Sequence, residues 1–525
     1  MTSIRILLPL VALLFVLPAC NMASAQPPTM TPTITTIRIP PATAVPTLAR
    51  VSQIVRTPTP LPVTATATPD PRCEALESEA ITRHRVEANI DFAHHGVVVV
   101  QTTHYINRTD ETLWQMVFNI EPNRWPGVFS LNRVTSDSQE LTHQLEGRRL
   151  TVDLAAPLLP DCETVVELRF GLSVPPIGLD VTAYKGFFGH SQRQMNLGHW
   201  LPTVAVRQGE TWVTRDAVLV GEQDVLGIAD WDVTLTLVGD RIPMIAAPGT
   251  PLQMSDTSWR YTFRGARDFA ISLSDAFVLT TQQAANGTTV ELYSFPDAQF
   301  TLDDGTRIDS ARQALTVAAQ SVALYSDLFG DYGYDRLVIV QGDFPDGMEH
   351  SGLVFVGGGW FQRYAGNPAS YLTLITVHEV AHQWWYARVG SDAALTPWLD
   401  EALATYSELL YLEAAYPMLV DWWWDTRVDL YGPQGFVDGT VYEFATIREY
   451  INAVYLRGTR MMHDLRNDLG DAAFLDWLRA YAEAASGQVA TPDTFWTLLT
   501  DEQLASTQAT RERYLRQPQV RHSSP

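Results

Sequence analysis

The sequence predicts a multidomain α+β protein: an antiparallel, β-sandwich-like domain comes first, then an α/β segment that passes into helices. Three observations carry that reading. With 525 residues, 46% hydrophobic and 18% charged, the chain is too long for one core and has the ordinary composition of globular domains. Strand-period alternation dominates from about residue 80 to 277. After residue 278 the pattern becomes strand, long helix, strand and a Gly-rich stretch, and helices then continue to about residue 505.

The chain opens MTSIRILLPLVALLFVLPAC, with Arg5 followed by an apolar run of about twelve residues, which is short for a bilayer span and typical of an export signal. Its end, Leu17-Pro18-Ala19-Cys20, resembles the bacterial lipobox, in which the cysteine is lipidated and tethers the mature protein to the membrane. Ala23-Ser24-Ala25 offers the rival reading, cleavage and full secretion. The stretch that follows, to residue 72, is rich in Thr, Pro and Ala, a composition that buries no core and stays extended as a spacer. The first domains are therefore a signal at 1–20 and a disordered linker at 21–72.

Beyond the signal only Cys73 and Cys162 remain. In an exported chain the two are expected to pair, and so long a closed loop would stabilise by about 4 kcal/mol on the chain-entropy estimate. The net charge of -23, from 36 Lys+Arg against 59 Asp+Glu, repels a phosphate backbone, and no basic stripe offsets it. Nucleic acid is not an expected partner.

The β domain is assigned to 73–277. Trp231, Val233, Leu235 and Leu237 alternate with Asp232, Thr234 and Thr236, and RRLTVDL, CETVVELRF and WRYTF behave alike, as strands with one buried face do. His94-His95 beside VVVV reads as a hairpin edge. The catalytic domain is assigned to 278–507, with strands TTVELYSF and RLVIVQG flanking a helix over about 306–329. Trp422 to Trp424 read as helix packing. The tail, 508–525, shows no apolar face and is expected to be disordered.

VHEVAHQWW carries the chemistry. Residues 371–388 predict a buried helix, and i,i+4 spacing puts His378 and His382 on one face, able to aim two imidazole nitrogens at one point. Glu379 sits about 100° round that helix, within reach of a water on the same metal. Nineteen positions after His382 comes Glu401 in WLDEALATY, on a second helix expected to be capped by Thr396 with Pro397 in its first turn. Two buried imidazoles and a buried carboxylate are costly without a cation, and two His plus one carboxylate leave a fourth position open, as in catalytic zinc sites.

HEVAHQWW with WLDEALATY resembles the gluzincin metallopeptidases of the aminopeptidase N family, whose pattern is HExxH, eighteen residues, then Glu. DGMEHSG at 346–352 is similar to that family's exopeptidase motif GxMEN, and VYLRGTRMMHDLRNDLG at 454–470 is similar to its tyrosine helix. The resemblance implies a thermolysin-like catalytic domain and one zinc ion held by His378, His382 and Glu401. It implies further that Glu379 is the general base, that Tyr455 stabilises the tetrahedral intermediate, and that Glu349 binds the free α-amine of a peptide substrate. Gly347 and Met348 would pair with the substrate backbone.

Departures from the pattern are Asp346 for Gly, His350 for Asn, Asp400 for Asn, Ala402 for Gly and Arg457 for Lys. They bear on substrate preference more than on chemistry. A second amine-binding residue from the β domain is not evident; Gln192 and Gln194 are the candidates. Two rival functions remain: a thermolysin-like endopeptidase, and a non-catalytic surface lipoprotein that retains the peptidase fold.

Overall fold

The structure, a computed structural model, describes Cys73, residues 81–178 and residues 186–518. The signal, Cys20 and the linker to residue 72 lie outside the described residues. Among the described residues no helix is long and apolar enough to cross a membrane.

An eight-stranded sheet runs Thr250–Ser255, Ser258–Ala266, Ala229–Val238, Thr82–Asp91, Gly96–Ile106, Glu163–Ser173, Phe129–Ser136, Gln139–Glu140. Along Ala229–Val238 the side chains alternate buried and half-buried, with Trp231, Val233, Leu235 and Leu237 in the core. One pairing departs from the antiparallel expectation: Thr82–Asp91 lies parallel to Ala229–Val238, Thr82 opposite Ala229. The other neighbours in this sheet are antiparallel. His94 and His95 form the turn between Thr82–Asp91 and Gly96–Ile106, and Cys73 is disulfide-bonded to Cys162.

The second half is organised by a five-stranded sheet in the order Val278–Gln283, Thr289–Ser294, Arg336–Gly342, Leu353–Gly357, Gly347–His350. Its three inner strands are parallel and both edges are antiparallel. Strand Arg336–Gly342 is covered on both faces, hence its unbroken apolar run: Leu337 and Ile339 enter the helical core while Val338 and Val340 enter the β core. The helix Ser310–Phe329, capped by Asp309 on Arg312 N–H, lies on the helical side. The edge strand Gly347–His350 is the one that borders the site.

Two expectations fail here. The helical pattern over 371–388 breaks, because α geometry ends at Ala381 and a wider-turned segment, Gln383–Arg388, follows with i+5 bonds from Ala387 N to His382 O and Val389 N to Trp384 O. The tail is not disordered over its first part: Gln508–Tyr514 is helical, and Tyr514 and Leu515 are buried. Its docking is too local to show as periodicity: Thr510, Arg511 and Tyr514 are buried, and the Tyr514 hydroxyl donates to Asp464 at 2.8 Å.

Candidate metal centre

The histidine helix, Tyr371–Ala381, begins at Ser370, whose hydroxyl accepts from Thr373 N–H, and is buried from Leu372 to Ala381. His378 and His382 sit one turn apart with ring centroids 4.8 Å from each other. Glu401 arrives from the helix Trp398–Ala415. That helix starts after Pro397, and Thr396 does not cap it as expected; its hydroxyl turns back to the Asp392 carbonyl at 3.2 Å. The helix is packed closely against the helix Arg457–Leu469: a Cβ at Gly458 would lie 2.5 Å from that of Ala402.

One donor atom each from His378, His382 and Glu401 lie within 4.8 Å of one another. Glu401 Oε2 is 3.2 Å from His378 Nε2 and 3.6 Å from His382 Nε2. The opposite ring nitrogens are held from behind. His378 Nδ1 is 3.1 Å from Glu408 Oε1, and His382 Nδ1 is 2.6 Å from Asp400 Oδ1. Glu408 is itself fixed by Arg427 and by the Trp423 indole N–H at 2.8 Å. A carboxylate on Nδ1 sets the tautomer that leaves Nε2 free to ligate, which is the arrangement of histidines around a protein-bound metal.

The electrostatics ask for a cation. Burial opposes charge on His378, but the Glu401 and Glu408 carboxylates outweigh it and push the imidazole up to about 9. Burial raises Glu379 to about 8 against the pull of both histidines, and Asp400 to about 6 against His382. Glu379 Oε2 is a buried oxygen without a hydrogen-bond partner. Two Nε2 atoms, a carboxylate and a nearby unsatisfied carboxylate fit a divalent metal with nitrogen and oxygen preference, zinc in particular.

Tyr455 lies in the segment Ile451–Leu456, which leads into the helix Arg457–Leu469. Its ring is parallel to that of His378, with centroids 5.8 Å apart, and its hydroxyl donates to Glu401 Oε1. Burial and the Glu401 charge raise its pKa well above the ordinary phenol value, so it stays a donor.

Glu349 sits on the edge strand Gly347–His350, paired to Val354, and is 5% exposed. Burial, together with the charges of Glu222, Glu401 and Asp400, raises its carboxyl well above the usual range, while His382 opposes. A bound ammonium would restore its charge. Polar atoms of Glu349, Glu379 and His382 lie within 4.8 Å of one another. Gly347 is pressed against Glu379: a Cβ there would collide with Glu379 Oε1. Met348 is buried in the β core.

Several residues at the site were not singled out from the sequence. Glu408 and Tyr450 carry no motif, and Glu222 reaches the site only through the fold; its charge acts on Glu349, Glu401 and Tyr455. Asp400, one of the departures from the family pattern, lies against His382 Nδ1 at 2.6 Å. Gln194 is fully buried and bound to Ser272, Gln341 O and Asp343 N–H, and Gln192 is exposed.

Residues 313–514 match the model of the peptidase family M1 domain. Curated relatives include aminopeptidase N of Lactococcus lactis, 25% identical over 39% of this chain and 26% of that protein, and aminopeptidase M1 of Arabidopsis thaliana, 26% identical over 37% and 24%. Endoplasmic reticulum aminopeptidase 2 of Bos taurus is 21% identical over 71% of this chain and 40% of its own length. The chain thus spans about a quarter to two fifths of these relatives. Among solved structures, an M1 zinc metallopeptidase of Deinococcus radiodurans shares the fold at a TM-score of 0.60 and 18% identity, over 85% of this chain and 95% of that one. A form of that enzyme bound to a Tyr-Ser-Ala substrate matches at the same score.

Proposed function

We propose, because the chain belongs to the aminopeptidase N family of zinc metallopeptidases, that it uses one zinc ion to remove single residues from the amino end of peptides. The observation that carries the exopeptidase reading is the 4.8 Å span holding polar atoms of Glu349, Glu379 and His382. A free amine and the carbonyl carbon of the same residue are about 2.5 Å apart along N–Cα–C. An amine fixed at Glu349 therefore leaves room for one residue before the reacting carbonyl.

A zinc ion held by His378, His382 and Glu401 supplies Lewis acidity to the scissile carbonyl and to a water molecule. Glu379 accepts the proton of the attacking water and returns it to the departing amine. Tyr455 turns its hydroxyl from Glu401 to the oxygen on which negative charge develops. Glu349 pairs with the substrate ammonium, and Gly347–His350, the edge strand of its sheet, is where the substrate backbone would be added. The proposal includes export, with Cys20 lipidated and residues 21–72 spacing the enzyme from the outer face of the membrane.

The test is chelation and product analysis. Removing the metal should abolish hydrolysis and zinc should restore it, and an unblocked peptide should lose residues one at a time from its amino end. Internal fragments would instead identify an endopeptidase, and no hydrolysis by the zinc-loaded protein a binding lipoprotein.

A further inference from the structure

Arg267 and Asp268 lie between the strands Ser258–Ala266 and Ile271–Ser274 of the β region, yet both reach the catalytic half. Asp268, 2% exposed, takes two donors from consecutive residues: His350 Nδ1 on Oδ2, and Ser351 N–H on Oδ1 at 2.8 Å. The Arg267 N–H donates to Ser351 Oγ at 3.1 Å. These are the residues that directly follow Glu349.

The Arg267 guanidinium, 1% exposed, points the other way along the same junction. It donates to the carbonyls of Tyr386, of Leu226 at 2.6 Å, of Arg388 at 3.1 Å and of Gln488 at 2.7 Å. Tyr386 and Arg388 belong to the wide-turned segment that follows His382, so the guanidinium caps carbonyls at the point where the α ladder gives way. Gly390 lets it in, since a Cβ there would collide with Cζ. Gln383 closes the frame from the opposite direction, donating to His350 O at 2.9 Å and accepting from Gly352 N–H at 2.8 Å.

His199, Asp268 and His350 also offer three donor atoms within 4.8 Å of one another. A second metal there does not fit. Both Asp268 oxygens already hold N–H groups, and the unpartnered His350 Nε2 faces Gly198, where a Cβ would lie 2.6 Å from it. The group is a brace.

We propose that Arg267 and Asp268 are positioning residues for the aminopeptidase reaction. One dipeptide of the β region holds the strand bearing Glu349 and the chain beyond His382 in a single frame, which keeps the amine anchor one residue from the metal. The inference rests on the reading of Glu349 as that anchor. Neither residue touches substrate. Releasing Asp268 frees the strand and degrades selection for a free amine; releasing Arg267 frees the chain beyond His382 and degrades metal retention.

The experiment compares kcat/KM for a free peptide and for its N-acetylated form, with zinc content and melting temperature measured on the same samples. Asp268→Ala and His350→Ala should each lower the free-to-acetylated ratio about tenfold, the scale of a lost charge-assisted hydrogen bond, with zinc retained. His350→Asn, whose Nδ2 can still donate to Asp268, should stay within about threefold of the parent. A proportional loss on both peptides, with an unchanged ratio, would mean only general destabilisation and overturns the proposal, as does a His350→Asn protein that behaves like His350→Ala. If Asp268→Ala fails to fold, the His350 pair decides. Arg267→Met should speed zinc loss to a chelator about tenfold, and an unchanged rate overturns the Arg267 half. Glu349→Ala is run alongside: if it leaves the ratio unchanged, the amine-anchor reading falls and the proposal with it. If Glu349→Ala collapses the ratio while His350→Ala does not, the brace alone is overturned.

Discussion

The Asp400 carboxylate lies 2.6 Å from His382 Nδ1, on the far side of the ring from the metal-facing nitrogen, while its neighbour Glu401 faces that nitrogen. Two consecutive residues therefore hold one imidazole from both ends. Asp400→Leu should lower zinc affinity 10–100-fold, because the ring loses the acceptor that orients it. Asp400→Asn should lose far less, since a carboxamide oxygen still accepts from Nδ1–H. Competition against a chromophoric chelator measures both, and equal affinities for the Leu variant and the parent would remove Asp400 from the metal site.

Glu379→Gln keeps the size of the side chain beside Gly347 and removes its ability to take a proton. Turnover should fall 10²–10⁴-fold with zinc content unchanged. Metal analysis with steady-state rates checks this, and a variant of near-normal kcat would rule Glu379 out as the base.

Tyr455→Phe removes one donor and leaves the ring parallel to His378. The expected effect is on kcat, about 10²–10³-fold, with KM changed only a few-fold, because the hydroxyl serves the transition state more than the bound peptide. A change confined to KM would assign the hydroxyl to substrate binding instead.

Away from the site, His84 is buried against Trp231 with ring centroids 4.3 Å apart. Burial, assisted by the charge of His104, pulls its pKa down from 6.5 to about 3. The unfolded chain takes up a proton below pH 6.5 that the folded chain refuses until about pH 3. Stability from this group is thus complete above pH 6.5 and is lost as pH falls through that window, by about 5 kcal/mol at about 1.4 kcal/mol per unit. His84→Gln should flatten the decline in urea midpoint between pH 7 and pH 4, and an unaltered pH slope would contradict it.

What could be read without coordinates was what repeats along the chain. Trp231, Val233, Leu235 and Leu237 declare a strand by their period, and His378, Glu379 and His382 declare a site by theirs. Glu401 was legible because its partners lie on the next helix. Glu408 and Glu222 were not, since a lone glutamate acquires a role only from what the fold sets against it. The end of the histidine helix was misjudged for the same reason: its sequence stays apolar to Ala387, but Arg267, more than a hundred positions earlier, takes the carbonyls of Tyr386 and Arg388. The helical tail buries Thr510, Arg511, Tyr514 and Leu515, which no apolar period within 508–525 announces.

The central claim, an amine anchor one residue from a catalytic zinc, is tested most directly by kcat/KM of the zinc-loaded protein on one peptide in its free and N-acetylated forms. A buried ion pair between Glu349 and the substrate ammonium predicts a preference for the free peptide of roughly 100-fold or more. Equal rates on the two forms, or faster cleavage of the acetylated one, would contradict it.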